Sequence, residues 1–285
     1  RGMKALNQLK TFQRILNEYP ADTPLGKFLP GFYRQNKQMG STDRRVAGRL
    51  IYNYFRLGNA LPKLPPEERL IVAEFLCNTQ VNSFLQHFRP EWALCVDFNI
   101  DQKLQIIKKA YPEFQLEDVF PWTDHVSPAI DRQAFLRSFF CQPDLFIRVR
   151  KGFEHQVKAE LNSAEVAFKD EGNNCLSMPN GIRLESLFPA QHWFEVQDSS
   201  SQQTAQFFKP GKWENWWDAC AASGGKSLLL HELQPDLKLV VSDIRESVLA
   251  NLDERFQRSG LLKYQKKLLD LTQNIELELH DYAFD

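Results

Sequence analysis

Two acids and the short run between them carry the densest chemistry in this sequence. Asp218 closes the segment Trp213–Trp217, Asp243 closes Leu237–Ser242, and both segments read as short buried strands. Between them, Cys220-Ala221-Ala222-Ser223-Gly224-Gly225-Lys226 offers mostly small side chains. Small residues let a ligand approach the backbone closely, and Gly224-Gly225 permits positive φ before a helix begins. In an open α/β sheet, ligands bind outside the carboxyl ends of the strands, which is where both acids fall. An acid after the second strand is placed to accept hydrogen bonds from two ribose hydroxyls. The pattern reads as a site for a nucleoside-containing cofactor.

Which cofactor is narrowed by what is missing. A dinucleotide-binding loop needs GxGxxG, and none occurs. A phosphate-cradling loop needs GxxxxGK[ST]; Gly225-Lys226-Ser227 fits its end, but Cys220 stands where the first glycine is required. A carboxylate at the end of the first strand also suits a cationic sulfonium–amine better than a triphosphate. S-adenosylmethionine is the expected cofactor. By itself, a glycine-rich turn from strand to helix can equally be no more than a tight turn.

The elements that would position this loop alternate strand and helix from His192 onward. A short strand over Trp193–Gln197 leads into a helix from Asp198 to Phe208. A second helix runs from about Gly225 to Leu233, and a third ends near Arg258 with Gly260 as its stop. Such alternation predicts a parallel sheet. The stretch from Val126 to Ala190 reads differently. After a helix near Asp131–Phe139, Leu145, Ile147 and Val149 alternate with Phe146, Arg148 and Arg150 as in a strand. A helix over Phe153–Leu161 and short strands over Val166–Phe168 and Ile182–Leu184 follow, around the turn-rich Gly172-Asn173-Asn174. This predicts a small α+β module, of a kind that often binds single-stranded RNA, although no RNP-type aromatic motif is present.

The first third reads helical. Ala5, Leu9, Phe12, Leu16 and Tyr19 form one stripe that Pro20 stops. Ser41-Thr42-Asp43 caps a helix through about Arg56, with Val46, Leu50 and Tyr54 on one face and Arg45, Arg49, Tyr52 and Arg56 on another. Pro65-Pro66-Glu67-Glu68 starts a further helix, and Lys103–Tyr111 is another. The formal net charge of −1 hides an asymmetry: residues 1–125 carry 17 Lys/Arg against 13 Asp/Glu, and residues 191–285 carry 10 against 15. A polyanion would meet the N-terminal third first, although a basic stripe is also the ordinary look of a solvated helix face.

Composition sets the outer bounds. At 285 residues, with 43% hydrophobic and 25% charged residues, the chain suits about two folded domains and not a disordered or fibrous polymer. No apolar run approaches the ~20 residues that span a bilayer, and no leader pattern precedes a cleavage site, so neither a membrane nor a secreted protein is expected. The five cysteines are widely spaced with no CxxC pair, which predicts a reduced, cytoplasmic protein without a metal cluster.

VQDSSSQ (Val196–Gln202) followed by DACAASGGKS (Asp218–Ser227) resembles the Sun/Fmu (RsmB-like) family of S-adenosylmethionine-dependent RNA cytosine-5 methyltransferases, whose pattern is close to VQDxSxQ and D-x-CAAPGGK[TS]. TDRRVAGRLIYNYFR (Thr42–Arg56) resembles a helix of the family's NusB-like domain, and FLRSFFCQPDLFIRVR (Phe135–Arg150) resembles its RRM-like module. Ser223 stands where the family usually has proline, which loosens a rigid turn. The resemblance implies a multidomain protein. It would have an all-α NusB-like RNA-binding domain over 1–125, an α+β RRM-like module over 126–190, and the N-terminal part of a truncated α/β Rossmann-like methyltransferase domain over 191–285.

It further implies that Cys220, Ala221, Ala222, Ser223, Gly224, Gly225 and Lys226 wrap the methionine part of the cofactor, that Asp243 holds the ribose, and that Asp270 lies near the adenine amino group. Locally, Asp270 reads equally well as an acid capping a turn. Arg45, Arg49, Arg56, Arg148 and Arg150 are the expected RNA phosphate contacts. The partner expected is RNA, ribosomal RNA by resemblance, bound by a monomer.

The implied reaction needs a cysteine thiolate to add to carbon 6 of cytosine, so that carbon 5 can attack the methyl donor. In the family both cysteines follow later strands of the sheet, one in a DAPC motif, and Phe284-Asp285 resembles the approach to that region. None of Cys77, Cys95, Cys141, Cys175 or Cys220 matches the role, and Cys220 is expected to be a small buried hydrophobe. No catalytic residue is therefore assigned. Two rivals stay open: a non-catalytic RNA-binding protein with a degenerate methyltransferase fold, and a nucleotide-hydrolysing P-loop enzyme.

Overall fold

The computed structural model describes residues 2–188 and 192–285. The chain divides into two compact units, Arg1–Gln142 and Pro143–Asp285. The boundary expected between 190 and 191 lies outside the described residues.

The first unit is helical, and among its described residues no strand occurs. Its helices are α1 (Gly2–Glu18), α2 (Leu25–Gln35), α3 (Ser41–Arg56), α4 (Pro66–Cys77), α5 (Ser83–Phe88), α6 (Pro90–Ala93), α7 (Ile100–Ala110) and α8 (Arg132–Ser138). The α3 face carrying Leu50 and Tyr54 joins Phe12, Ile15, Phe75 and Leu76 in one core. Asp43 starts α3 by accepting the Gly40 N–H at 3.1 Å. Helix α8 belongs to this unit, so the helical part continues past the expected boundary at 125. Leu136 and Phe140 are buried in the same core, and Phe120 stacks on Phe139 with ring centroids 5.6 Å apart.

Two buried ionic groups lie in this helical unit. Glu74 is wholly buried and accepts Arg49 Nη2 at 2.8 Å, Asn53 Nδ2 at 2.6 Å and Asn78 Nδ2 at 2.9 Å. Lys103 donates to the carbonyls of Phe75, Leu76, Asn78 and Val96 at 2.8–3.3 Å. An ammonium is favourable there because the last carbonyls of α4 have no partner within the helix.

The second unit contains two sheets with separate cores. The first runs β1 (Leu145–Val149), α9 (Glu154–Ser163), β2 (Lys169–Gly172), β3 (Cys175–Met178), α10 (Leu184–Leu187) and β4 (Phe194–Val196). Its strands pair antiparallel in the order β2-β3-β1-β4, the split βαβ arrangement. Two expectations shift here. Asn173 and Asn174 both have positive φ, +51° and +61°, so they form a two-residue hairpin turn and pairing begins on either side of it. The strands are therefore 169–172 and 175–178, and Leu184 opens a helix instead of closing a strand. The strand expected to lead the α/β part is β4, which pairs with β1 and buries Phe194 in this first core.

The second sheet consists of β5 (Asn215–Asp218), β6 (Lys238–Asp243) and β7 (Gln265–Leu268), all parallel and in that order. Helix α11 (Ser199–Gln203) precedes it, α12 (Gly225–Leu233) and α13 (Glu246–Arg258) make the crossovers, and α14 (Glu276–Leu279) follows. Val241, Leu252 and Phe256 are fully buried between sheet and helices. The alternation read from the sequence thus becomes a parallel sheet whose first two strands end in Asp218 and Asp243.

Candidate functional site

The chain leaves β5 through a turn that is bolted to β6. Ala221 N–H donates to the Ser242 carbonyl at 2.9 Å, and Ser242 Oγ donates to the Ala219 carbonyl at 2.8 Å. Ala222 adopts φ +47°, and its N–H donates to Asp243 Oδ2 at 3.0 Å. Gly224, at φ +88°, then turns the chain into α12. The result is a cleft of about 240 Å³ lined by this loop together with Gln197, Asp198 and Ser201. Lys226 Nζ donates to Ser201 Oγ at 2.9 Å, so the two motifs singled out in the sequence face each other.

Cys220, Ala221, Ala222, Ser223, Gly225 and Lys226 all line that cleft, and Gly224 forms its bend. Cys220 corrects one expectation. Its side chain is exposed, and its neighbour Ala221 is the buried one, packed in the core of the second sheet. Asp218 accepts Ser227 Oγ at 2.6 Å. Burial pushes its carboxyl above the ordinary range, with Ser227 and Lys226 pulling the other way. Asp243 is only 5% exposed, and its hydrogen bonds from Arg245 hold it below the ordinary range. Neither Asp243 nor Asp270 is among the residues lining the cleft: Asp243 lies behind Ala222 and touches the loop through its N–H, and Asp270 closes a turn after β7, accepting Thr272 N at 3.0 Å and Oγ1 at 2.7 Å.

Further residues belong to the site that sequence periodicity did not flag. Arg255 on α13 pairs with Glu195 at 2.8 Å and donates through Nη1 to Ser223 Oγ at 3.0 Å, pinning the loop. Gln197, 8% exposed, accepts Arg148 Nε at 3.2 Å through Oε1, which leaves its Nε2 as the free donor, buried without a partner beside Gly225. Arg245, two residues past the end of β6, donates through Nε to Asp243 Oδ1 at 3.0 Å. The VQD motif contained Gln197, but nothing in local spacing marks the two arginines.

The expected phosphate contacts divide. Arg45 is exposed. Arg49 neutralises Glu74, and Arg56 donates to the Phe139 and Cys141 carbonyls at 3.1 and 3.3 Å. Arg148 is 4% exposed and ion-paired with Glu232 on α12. The β1 face it occupies is covered, which removes it as a phosphate contact. Arg150 donates to the Ser259 carbonyl at 2.9 Å and is committed to the end of α13. Among the described residues no cluster of metal-ligating side chains is found, and no helix is long and apolar enough to cross a membrane.

The first two parallel strands end in acids on either side of a glycine-paired loop, the place where open α/β sheets bind ligands. The solved structure of PH0851 shares the fold, with a TM-score of 0.56 and 17% identity over 86% of this chain and 65% of that one. No family model matches. Among curated proteins, the ribosomal RNA small subunit methyltransferase B of Salmonella paratyphi B is 36% identical over 90 residues, 29% of this chain and 21% of that protein. Its namesake from Proteus mirabilis is 28% identical over 190 residues, 63% of this chain and 37% of that protein. These relatives bear out the resemblance of the two motifs to the Sun/Fmu (RsmB-like) family. It spans well under half the length of the curated relatives it matches.

Proposed function

We propose that this chain is the RNA-targeting and cofactor-binding part of an S-adenosylmethionine-dependent RNA cytosine-5 methyltransferase, acting on ribosomal RNA in the cytoplasm. The observation that carries the reading is the cleft in which the Val196–Gln202 and Asp218–Ser227 motifs meet beside Asp243.

The residues present fit the cofactor. The loop's small side chains leave its backbone open, and the first N–H groups of α12 have no partner within the helix. The buried Gln197 Nε2 lacks an acceptor, a cost of roughly 1–3 kcal/mol that a ligand carboxylate nearby would relieve. Asp243 would hold the ribose and the loop the methionine part. Asp218, kept out of bulk water, would face the positive end of the ligand. When bound, the cofactor supplies an activated methyl group. Asp270 near the adenine remains part of the proposal through the family resemblance alone.

Methylation at carbon 5 also needs a thiolate for carbon 6, and we assign that role to none of the five cysteines. Burial pushes the Cys77 thiol up to about 12 and raises Cys175 as well, so neither is a ready nucleophile. The helical unit we read as the NusB-like RNA-binding domain and the split βαβ sheet as the RRM-like module. Titration calorimetry with S-adenosylhomocysteine tests the reading: micromolar binding is expected, and an absence of heat at high concentration overturns it.

A further inference from the structure

Asp243 has more suitors than a free ribose-binding acid should. A carboxylate offers about four lone-pair positions. Here Oδ1 accepts Arg245 N at 3.1 Å and Arg245 Nε at 3.0 Å, while Oδ2 accepts Ala222 N at 3.0 Å and Arg245 Nη2 at 3.4 Å. All four are filled.

The four donors are of two kinds. The N–H groups of Ala222 and Arg245 are main chain, fixed by the strand ends and the loop, and they hold the carboxylate in place. The other two belong to one guanidinium on a side chain that is 55% exposed. A ribose presents two adjacent hydroxyls, and the positions left for them are the pair that the guanidinium occupies.

Taking the nucleoside reading of this site as given, we infer that Arg245 is a stand-in for the ribose diol, satisfying Asp243 until a nucleoside displaces it. Arg245 then sets affinity from outside the bound state. It preserves a nearly buried charge from being left short of donors, and it subtracts its own interaction from that of every incoming ribose. An ion pair with one end this exposed is worth little, so the exchange is accessible. An arginine that instead contacted the ligand would have the opposite effect when removed, which makes the sign of the change decisive.

The test is calorimetric titration of S-adenosylhomocysteine into the wild-type chain, R245A and R245M, the latter keeping most of the stem. Both variants are expected to bind roughly threefold to tenfold more tightly than wild type, and the gap is expected to narrow as salt screens the wild-type pair. Adenosine should share the gain, and 2′,3′-dideoxyadenosine, which lacks the diol, should not. Equal or weaker binding by both variants, with unchanged thermal melting, overturns the stand-in. Absence of binding to wild type and variants alike instead overturns the nucleoside reading on which it rests.

Discussion

Phe256 occupies the space that any side chain at position 224 would need: a Cβ built on Gly224 would lie 2.3 Å from its Cε1. The loop is thus packed directly on α13 and held at φ +88°, a conformation glycine adopts freely. G224A must combine a disfavoured backbone with overpacking, and is expected to destabilise the second unit by roughly 3 kcal/mol while abolishing binding of S-adenosylhomocysteine. A Cβ at Gly225 would meet the Gln197 amide at 3.2 Å and Arg255 Nη1 at 3.7 Å, both ends of flexible side chains, with no positive φ, so G225A should cost much less. Urea melts and calorimetry on both variants check this; a G224A protein as stable as wild type would mean that the loop does not rest on α13.

Arg148 and Glu232 tie β1 to α12 through a pair in which the arginine is almost wholly buried. Removing one partner of such a pair leaves a charge without compensation. R148A is expected to lose about 3 kcal/mol of stability, because it removes a buried side chain, leaves Glu232 with only the Lys151 N–H and solvent, and leaves the acceptor of Gln197 unfilled. Under conditions where the variant is folded, its affinity for single-stranded RNA and the salt dependence of that affinity should match wild type. A flattened salt response would mean that Arg148 touches RNA phosphate after all.

That pair also shows where sequence reading stops. Helices such as α1, α3 and α4, and the strands ending in Asp218 and Asp243, were legible because periodicity, prolines and glycines act locally. The same holds for the loop chemistry, which needs only small residues between two acids. The alternation over 145–150 correctly gave a strand and two faces, but no local pattern says that α12 will cover the arginine face. The strand at 194–196 could have joined either sheet, and long-range pairing with β1 decided it. Arg49 and Arg56 looked like a solvated stripe because their partners, Glu74 and the 139–141 carbonyls, are distant in sequence. Arg245 and Arg255 were missed for the same reason: a guanidinium's partners are chosen by tertiary packing.

Asp218 gives the second unit a pH dependence of definite sign. Burial raises its carboxyl above the usual 3.8, so ionisation costs more in the folded chain than in the unfolded one. Its favourable contribution is fully present below the unfolded value and is lost as pH rises through the raised folded value. Asp243, shifted down, works in the opposite sense: its contribution is present above 3.8 and fades as pH falls through its lowered value. D218N should therefore gain stability relative to wild type as pH is raised from about 4 to 7, which thermal melts across that range will read. It should also weaken binding of S-adenosylmethionine more than of S-adenosylhomocysteine, which lacks the sulfonium charge. A constant stability difference across the range would remove the burial argument.

Arg45 and Arg49 lie one helical turn apart on α3 and should behave differently. Arg45 is exposed, and on the proposed reading it meets RNA phosphate. R45A should keep its stability, weaken single-stranded RNA binding, and lower the slope of log K against log salt by about 0.7, the share of a single phosphate. Arg49 instead faces the wholly buried Glu74, whose remaining donors are the neutral amides of Asn53 and Asn78. R49A should cost the helical unit about 3 kcal/mol and leave the salt slope of the folded protein unchanged. Parallel denaturation curves and RNA titrations at several salt concentrations separate the two roles. If R49A flattened the slope without loss of stability, the basic stripe would be a solvated RNA-binding face as its spacing first suggested, and Glu74 would not depend on it.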